Sequence, residues 1–168
     1  MILLESPRLY IRNTHLEDIS ILHEIIFNDE EVVKHTFGNE QFTLEETKKF
    51  IKQSCNFNKT LGLSTLIEKE TEKIIGLAGV IQCDYLEQPD YEFGFILSRD
   101  TWGKGYATEI GKAQIDYIQD IIKAPRAIAL AHCDNITSKK CIKKLGLKYF
   151  STISTPNRGN RFVYLKEF

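Results

Sequence analysis

The chain has 168 residues, 42% hydrophobic and 27% charged, the composition of one soluble globular domain large enough to bury a core. A net charge of −1 argues against a general nucleic-acid binder, which carries a basic excess, and no apolar run approaches the roughly 18 residues needed to span a membrane. The opening Met-Ile-Leu-Leu-Glu-Ser-Pro-Arg lacks a basic leader and an adequate apolar stretch, so no secretory signal is expected. Cys55, Cys83, Cys133 and Cys141 are scattered without the paired spacing of a zinc site or disulfide framework. No metal is expected, and free thiols fit a cytoplasmic protein.

In chain order, residues 8–12 alternate as a short first strand. Thr14 with Glu17 reads as a capping box opening a helix with Leu16, Ile19, Leu22, Ile25 and Ile26 inward. Residues 28–42 read as polar and irregular. Thr43 with Glu46 repeats the capping pattern and starts a helix to about Cys55. The irregular segment and this second helix are expected to form a flap beside a substrate site. Residues 63–67 and 73–82 form a hairpin around a charged turn, and residues 84–90, with Pro89, connect to a central strand at 92–97. A tight loop with Gly103 and Gly105 follows, then a long amphipathic helix with Ala107, Ile110, Ala113, Tyr117, Ile118, Ile121 and Ile122 at helical spacing. Pro125 stops it, and residues 126–132 read as a buried strand. Asn135 caps a helix closed by Gly146, and two strands near 148–153 and 161–165 finish the chain. With no repeats or linkers, residues 1–168 are one domain, α+β with a mixed sheet.

A strand that feeds a glycine turn at a helix N-terminus gathers unpaired N–H groups and the positive end of a helix dipole. Such a spot binds anions, phosphates above all, and glycines let them approach the main chain. The spacing excludes a nucleotide-hydrolase P-loop, because no Gly-Lys-Ser/Thr follows, and a dinucleotide fingerprint, because the third glycine is absent. On geometry alone, a tight connection and a phosphate cradle both stay open.

The run Trp102-Gly103-Lys104-Gly105-Tyr106-Ala107-Thr108-Glu109 resembles the acetyl-CoA pyrophosphate loop of the GNAT N-acetyltransferases. Ser6-Pro7-Arg8-Leu9-Tyr10-Ile11-Arg12 resembles that family's opening strand, Glu92-Phe93-Gly94-Phe95 its central strand, and Asn135-Ile136-Thr137-Ser138 with Lys144-Leu145-Gly146-Leu147 the helix beside the pantetheine arm. Together they look most like the branch that includes the ribosomal-protein N-terminal acetyltransferases. The resemblance implies a mostly antiparallel sheet with a splayed central strand pair, and acetyl transfer from acetyl-CoA to a primary amine by direct sequential attack. The acceptor is a protein N-terminus or a small-molecule amine, with no nucleic acid or membrane involved; the oligomeric state is not readable.

The same resemblance implies cofactor contacts from Phe95, Ile96, Leu97, Trp102, Gly103, Lys104, Gly105, Tyr106, Ala107, Thr108, Asn135 and Ser138, with Trp102 packing under the loop. It makes Glu92 the candidate base and Ser138 the candidate acid, with Tyr149 a weaker alternative. Two positions depart from the family pattern: Asp100 stands where the loop usually begins with Gln or Arg, and Ile142 where a proton-donating tyrosine is common. These departures support an alternative, a non-catalytic acyl-CoA-binding module; a nucleotide-phosphate binder is a third possibility.

Overall fold

The computed structural model describes residues 1–37, 40–155 and 159–168. Eight strands are built from the alternating segments: β1 (Ile2–Glu5), β2 (Leu9–Arg12), β3 (Ser64–Glu68), β4 (Lys73–Cys83), β5 (Asp90–Leu97), β6 (Arg126–His132), β7 (Lys148–Thr155) and β8 (Gly159–Glu167). They form one sheet in the order β1-β2-β3-β4-β5-β6-β8-β7. Every neighbouring pair is antiparallel except β5 and β6. The mixed, mostly antiparallel architecture is therefore as expected.

The helices are α1 (Asp18–Leu22, continued by a π-helical turn His23–Phe27), α2 (Glu30–Phe37), α3 (Leu44–Ser54), α4 (Tyr106–Tyr117, continued by a π-helical turn Ile118–Ile122) and α5 (Ile136–Lys144). Strand residues alternate between faces, so adjacent Ile96 and Leu97 of β5 enter different cores. Ile96 packs with Leu22, Phe27, Val33 and Ile51 from α1, α2, α3 and their turns. Leu97 packs with Tyr106 and Ile110 of α4. Phe27, Phe37, Phe42 and Phe50 meet with ring centroids 5.1–6.1 Å apart; Phe27 and Phe37 stack and the other pairs are tilted or edge-on, arrangements that suit aromatic quadrupoles. Among the described residues no helix is long and apolar enough to cross a membrane.

Three local expectations are corrected. β1 was not foreseen, because an edge strand with partly exposed residues along its length carries little burial pattern. Most of the segment read as irregular is the helix α2. Asp29 Oδ1 accepts the N–H groups of Glu31 (3.0 Å) and Val32 (3.4 Å), and Val32, Val33 and Phe37 are buried. Gly38 and Asn39 of that segment, and residues 156–158 of the last turn, lie outside the described residues. The capping box at Thr43 and Glu46 forms as expected, but the one at Thr14 and Glu17 does not. The Thr14 hydroxyl accepts instead from Thr65 (3.1 Å), and Asp18 takes the His15 N–H (2.8 Å).

Asp18 is also paired with Arg12 through two bonds of 2.8 and 2.9 Å. Burial pushes its carboxyl up, but the Arg12 guanidinium, the His15 amide and the Thr65 hydroxyl together hold it below the usual value. A depressed pKa stabilises the fold above the unfolded-state value and is lost as pH falls through the folded-state value. Asp18→Ala, which takes the carboxylate from the half-buried Arg12 guanidinium, is expected to cost about 3 kcal/mol. Thermal unfolding followed against pH checks this: the gap between wild type and variant should be widest near neutrality and close in acid.

Candidate active site

The parallel pair β5–β6 is closed at one end and open at the other. At the closed end, Arg126 clamps Asp90 through Nε (2.8 Å) and Nη2 (2.9 Å). The ladder then contributes a single pairing, Glu92 with Ile128, and among the described residues no pairing joins the strands beyond it. On the other side β5 stays in register with β4 from Asp90 to Leu97. The bond from Ser98 N–H to Ile75 O (2.8 Å) sets the parity, because an antiparallel strand turns alternate residues toward a given neighbour. Even-numbered residues of β5 exchange bonds with β4, so the amides of Phe95 and Leu97 face the opened side. Ile96, opposite Leu77, turns its amide toward β4 and its side chain into the core.

The glycine loop stands past the end of β5. Gly103 and Gly105 have φ of 79° and 80°, the left-handed region that glycine adopts without a Cβ penalty. Gly105 is the N-cap of α4 and supplies no side-chain cap. Among the described residues no hydrogen bond uses the amides of Gly103, Lys104, Gly105, Tyr106, Ala107 or Thr108. A Cβ on Gly103 would meet nothing within 4 Å, so the surface beside these donors is open. Unpaired amides at a helix N-terminus suit an anion.

The loop is braced from beneath. The Tyr106 hydroxyl donates to Glu68 (2.5 Å), and this bond with that of Thr71 holds the Glu68 carboxyl below its usual value. The Arg8 guanidinium lies 4.5 Å from the Tyr106 ring centroid and donates through Nε to Glu109 (2.7 Å). Ser6 and the Arg8 amide bond the other Glu109 oxygen. The Ser6 and Arg8 contacts found in the opening strand motif thus anchor the first turns of α4. Trp102 departs from its expected place under the loop: its side chain is 45% exposed. Its indole N–H donates to Leu97 O (3.0 Å), tethering the loop to the end of β5 while the ring stays partly in solvent. Asp100 accepts from the Ser98 hydroxyl (2.8 Å), within the turn that leaves the strand.

Glu92 is buried at the closed end of the gap, where the Tyr85 hydroxyl donates to it (2.7 Å). Neighbouring Cys83 is no thiolate: burial, followed by the charges of Glu92 and Asp90, pushes its thiol up to about 12. On the far side of the gap Asn135 caps α5, accepting the Ser138 N–H (3.0 Å), and Ser138 lies partly exposed in the first turn. Thr108 Oγ1 and Cys141 Sγ, 3.6 Å apart, join the first turn of α4 to the second turn of α5. Ile142 is 2% exposed and packs into the core, so the helix presents no phenol there. The Tyr149 hydroxyl is engaged with Thr152 (2.8 Å) on the edge strand β7. His132 Nδ1 accepts the Asp134 amide (3.2 Å), a local structural bond. Of the basic face of α5, Lys139 is committed to Cys133 O (2.6 Å), and Lys140, Lys143 and Lys144 are exposed.

Tyr85 and the Asp90–Arg126 clamp escaped sequence reading. Tyr85 lies in a segment that reads only as a connection, and the clamp joins positions 36 residues apart.

Comparison with known proteins agrees with this fold. The family described as "Acetyltransferase (GNAT) domain" matches residues 8–148. An uncharacterised N-acetyltransferase p20 of Bacillus licheniformis is 30% identical over 148 residues, covering 86% of this chain and 82% of that protein. The uncharacterised protein YkkB of Bacillus subtilis (strain 168) is 27% identical over 157 residues, covering 92% and 90%. Among solved structures, an acetyltransferase (GNAT family) from Bacillus anthracis has a TM-score of 0.79 at 23% identity, covering 99% of this chain and 98% of that one. RimL, a ribosomal L7/L12 alpha-N-protein acetyltransferase, shares the fold at 12% identity with a TM-score of 0.73, covering 99% and 98%.

Proposed function

This chain belongs to the GNAT acetyltransferase family and uses acetyl-CoA on an amine acceptor, and from that premise we propose direct attack by the amine with Glu92 and Ser138 handling the protons. The observation that carries the reading is the row of uncommitted amides from Gly103 to Thr108, continued by the Phe95 and Leu97 amides on the open edge of β5. The first group holds the coenzyme's diphosphate and the second receives the thioester carbonyl. Donors aimed at the charge that develops on that oxygen supply a few kcal/mol. The amine nitrogen bonds to the carbonyl carbon as the carbon–sulfur bond breaks. Glu92 takes the amine proton directly or through water, and Ser138 protonates the departing sulfur directly or through water. Asn135 steadies the first turn of α5, and its side-chain N–H groups donate to the pantetheine arm.

The acceptor proposed is a protein N-terminal amine, as in the ribosomal-protein branch that the four motifs resemble. An α-amine of pKa about 8 costs only about 1.4 kcal/mol to deprotonate at pH 7, against nearly 5 for a lysine at about 10.4. A carboxylate that accepts from the Tyr85 hydroxyl is adequate to the smaller task. Thiol release from acetyl-CoA, measured against Ala- and Ser-terminated peptides, spermidine, an aminoglycoside and free amino acids, tests this. Peptides should be the fastest acceptors; turnover confined to another amine overturns the acceptor assignment, and silence with every amine favours the non-catalytic module. Ser138→Ala is expected to lower kcat by about tenfold or more, with a smaller loss of CoA affinity than of rate, checked by steady-state kinetics beside calorimetric binding.

A further inference from the structure

We propose that Gln114 is a positioning residue for the acetyl group, acting through the peptide bond between Gly94 and Phe95. This rests on the reading above, in which the Phe95 amide receives the thioester carbonyl. Gln114 sits in the third turn of α4 and is fully buried. Its Nε2 donates to Gly94 O (3.1 Å), while its Oε1 makes no hydrogen bond among the described residues. A buried amide with one of its polar atoms unmet is costly. A leucine of similar size would pack there without that cost, against neighbours that include Leu3, Leu61, Val80 and Tyr117.

The single bond it makes falls on a particular peptide plane. Gly94 C=O and Phe95 N–H belong to the same rigid, trans unit, so they point in opposite directions. The carbonyl turns toward β4, opposite Gly79, and the N–H turns into the opened side. A donor on the oxygen fixes the tilt of that plane. It also polarises the amide, which strengthens the N–H as a donor. The helix whose first turn carries the diphosphate cradle thereby sets the direction and strength of the group that meets the acetyl oxygen.

Infrared difference spectra of carbonyl-13C acetyl-CoA bound to the intact protein test this without an acceptor. In the wild type the bound thioester carbonyl band should lie below that of the free compound. In Gln114→Leu it should move at least halfway back, with CoA affinity unchanged and kcat lower by about tenfold, part of the effect of losing an oxyanion donor outright. An unmoved band in Gln114→Leu overturns the inference, and so does a return of the band that comes only with lost CoA affinity. If Gln114→Leu does not fold, Gln114→Glu decides: the introduced acid donates to Gly94 O only when protonated, so the band should shift with pH in that variant and not in the wild type. A pH-independent band there overturns the proposal. A wild-type band at the free position would instead refute the placement of the thioester on which the proposal stands.

Discussion

Gly105→Val is expected to weaken CoA binding by about two orders of magnitude, the loss of two charge-assisted contacts from main-chain N–H groups. Gly105 has φ of 80° and caps α4 with its own backbone. A β-branched residue in this region carries about 1–3 kcal/mol of strain. Its Cβ would also arrive 3.5 Å from Arg8 Nη2, ordinary contact for one atom but crowded once the two methyl groups are added. The chain can relieve the strain by rotating the 104–106 peptides, which turns the amides away from a shared focus. The effect should be local, because Gly105 is a loop residue whose neighbour Tyr106 keeps its bond to Glu68. Calorimetric CoA titration, with thermal unfolding as the control for folding, measures it. Unchanged affinity in a folded variant contradicts the cradle.

The second large effect is at Glu92. Glu92→Gln keeps the size of the side chain and an acceptor for the Tyr85 hydroxyl, but removes the proton acceptor. It should lower kcat by about a hundredfold, the lower end of general-base contributions, with CoA affinity unchanged. Raising the pH delivers more of the acceptor as free amine, so the deficit should shrink as pH approaches the acceptor's own pKa. A loss of CoA affinity equal to the loss in rate would mean that Glu92 supports the fold of β5 and not proton transfer.

What could be read beforehand and what could not divide along a physical line. Gly103, Gly105 and Asn135 are shaped by their own backbones or by residues three positions away, so their local geometry is written in contiguous sequence. The tight glycine loop and the Asn135 cap were legible for that reason, and so were the strands whose alternation reports burial. The widening between β5 and β6 has no local signature. It depends on Arg126 meeting Asp90 and on where pairing with Ile128 ends. The helix α2 was missed because Asp29, its capping residue, sits in a run of Asn, Asp and Glu that resembles a loop. Its Val32, Val33 and Phe37 follow at helical spacing, a short signal but a real one. Thr14 misled in the opposite way: its capping pattern is present, yet Thr65 on a neighbouring strand engages the hydroxyl. The Gln114–Gly94 bond was equally hidden, since a glutamine among apolar helix positions gives no hint of a strand carbonyl 20 residues away.

The common claim beneath these expectations is that the diphosphate of CoA lies on the amides between Gly103 and Thr108, with the acyl end along β5. Amide-resolved NMR titration tests it most directly. With CoA, the largest proton shifts should fall on Gly103 through Thr108 and on Phe95 and Leu97; with adenosine, which has no diphosphate, those amides should stay where they are. Shifts from CoA that leave these amides unmoved and gather elsewhere on the sheet would contradict the account.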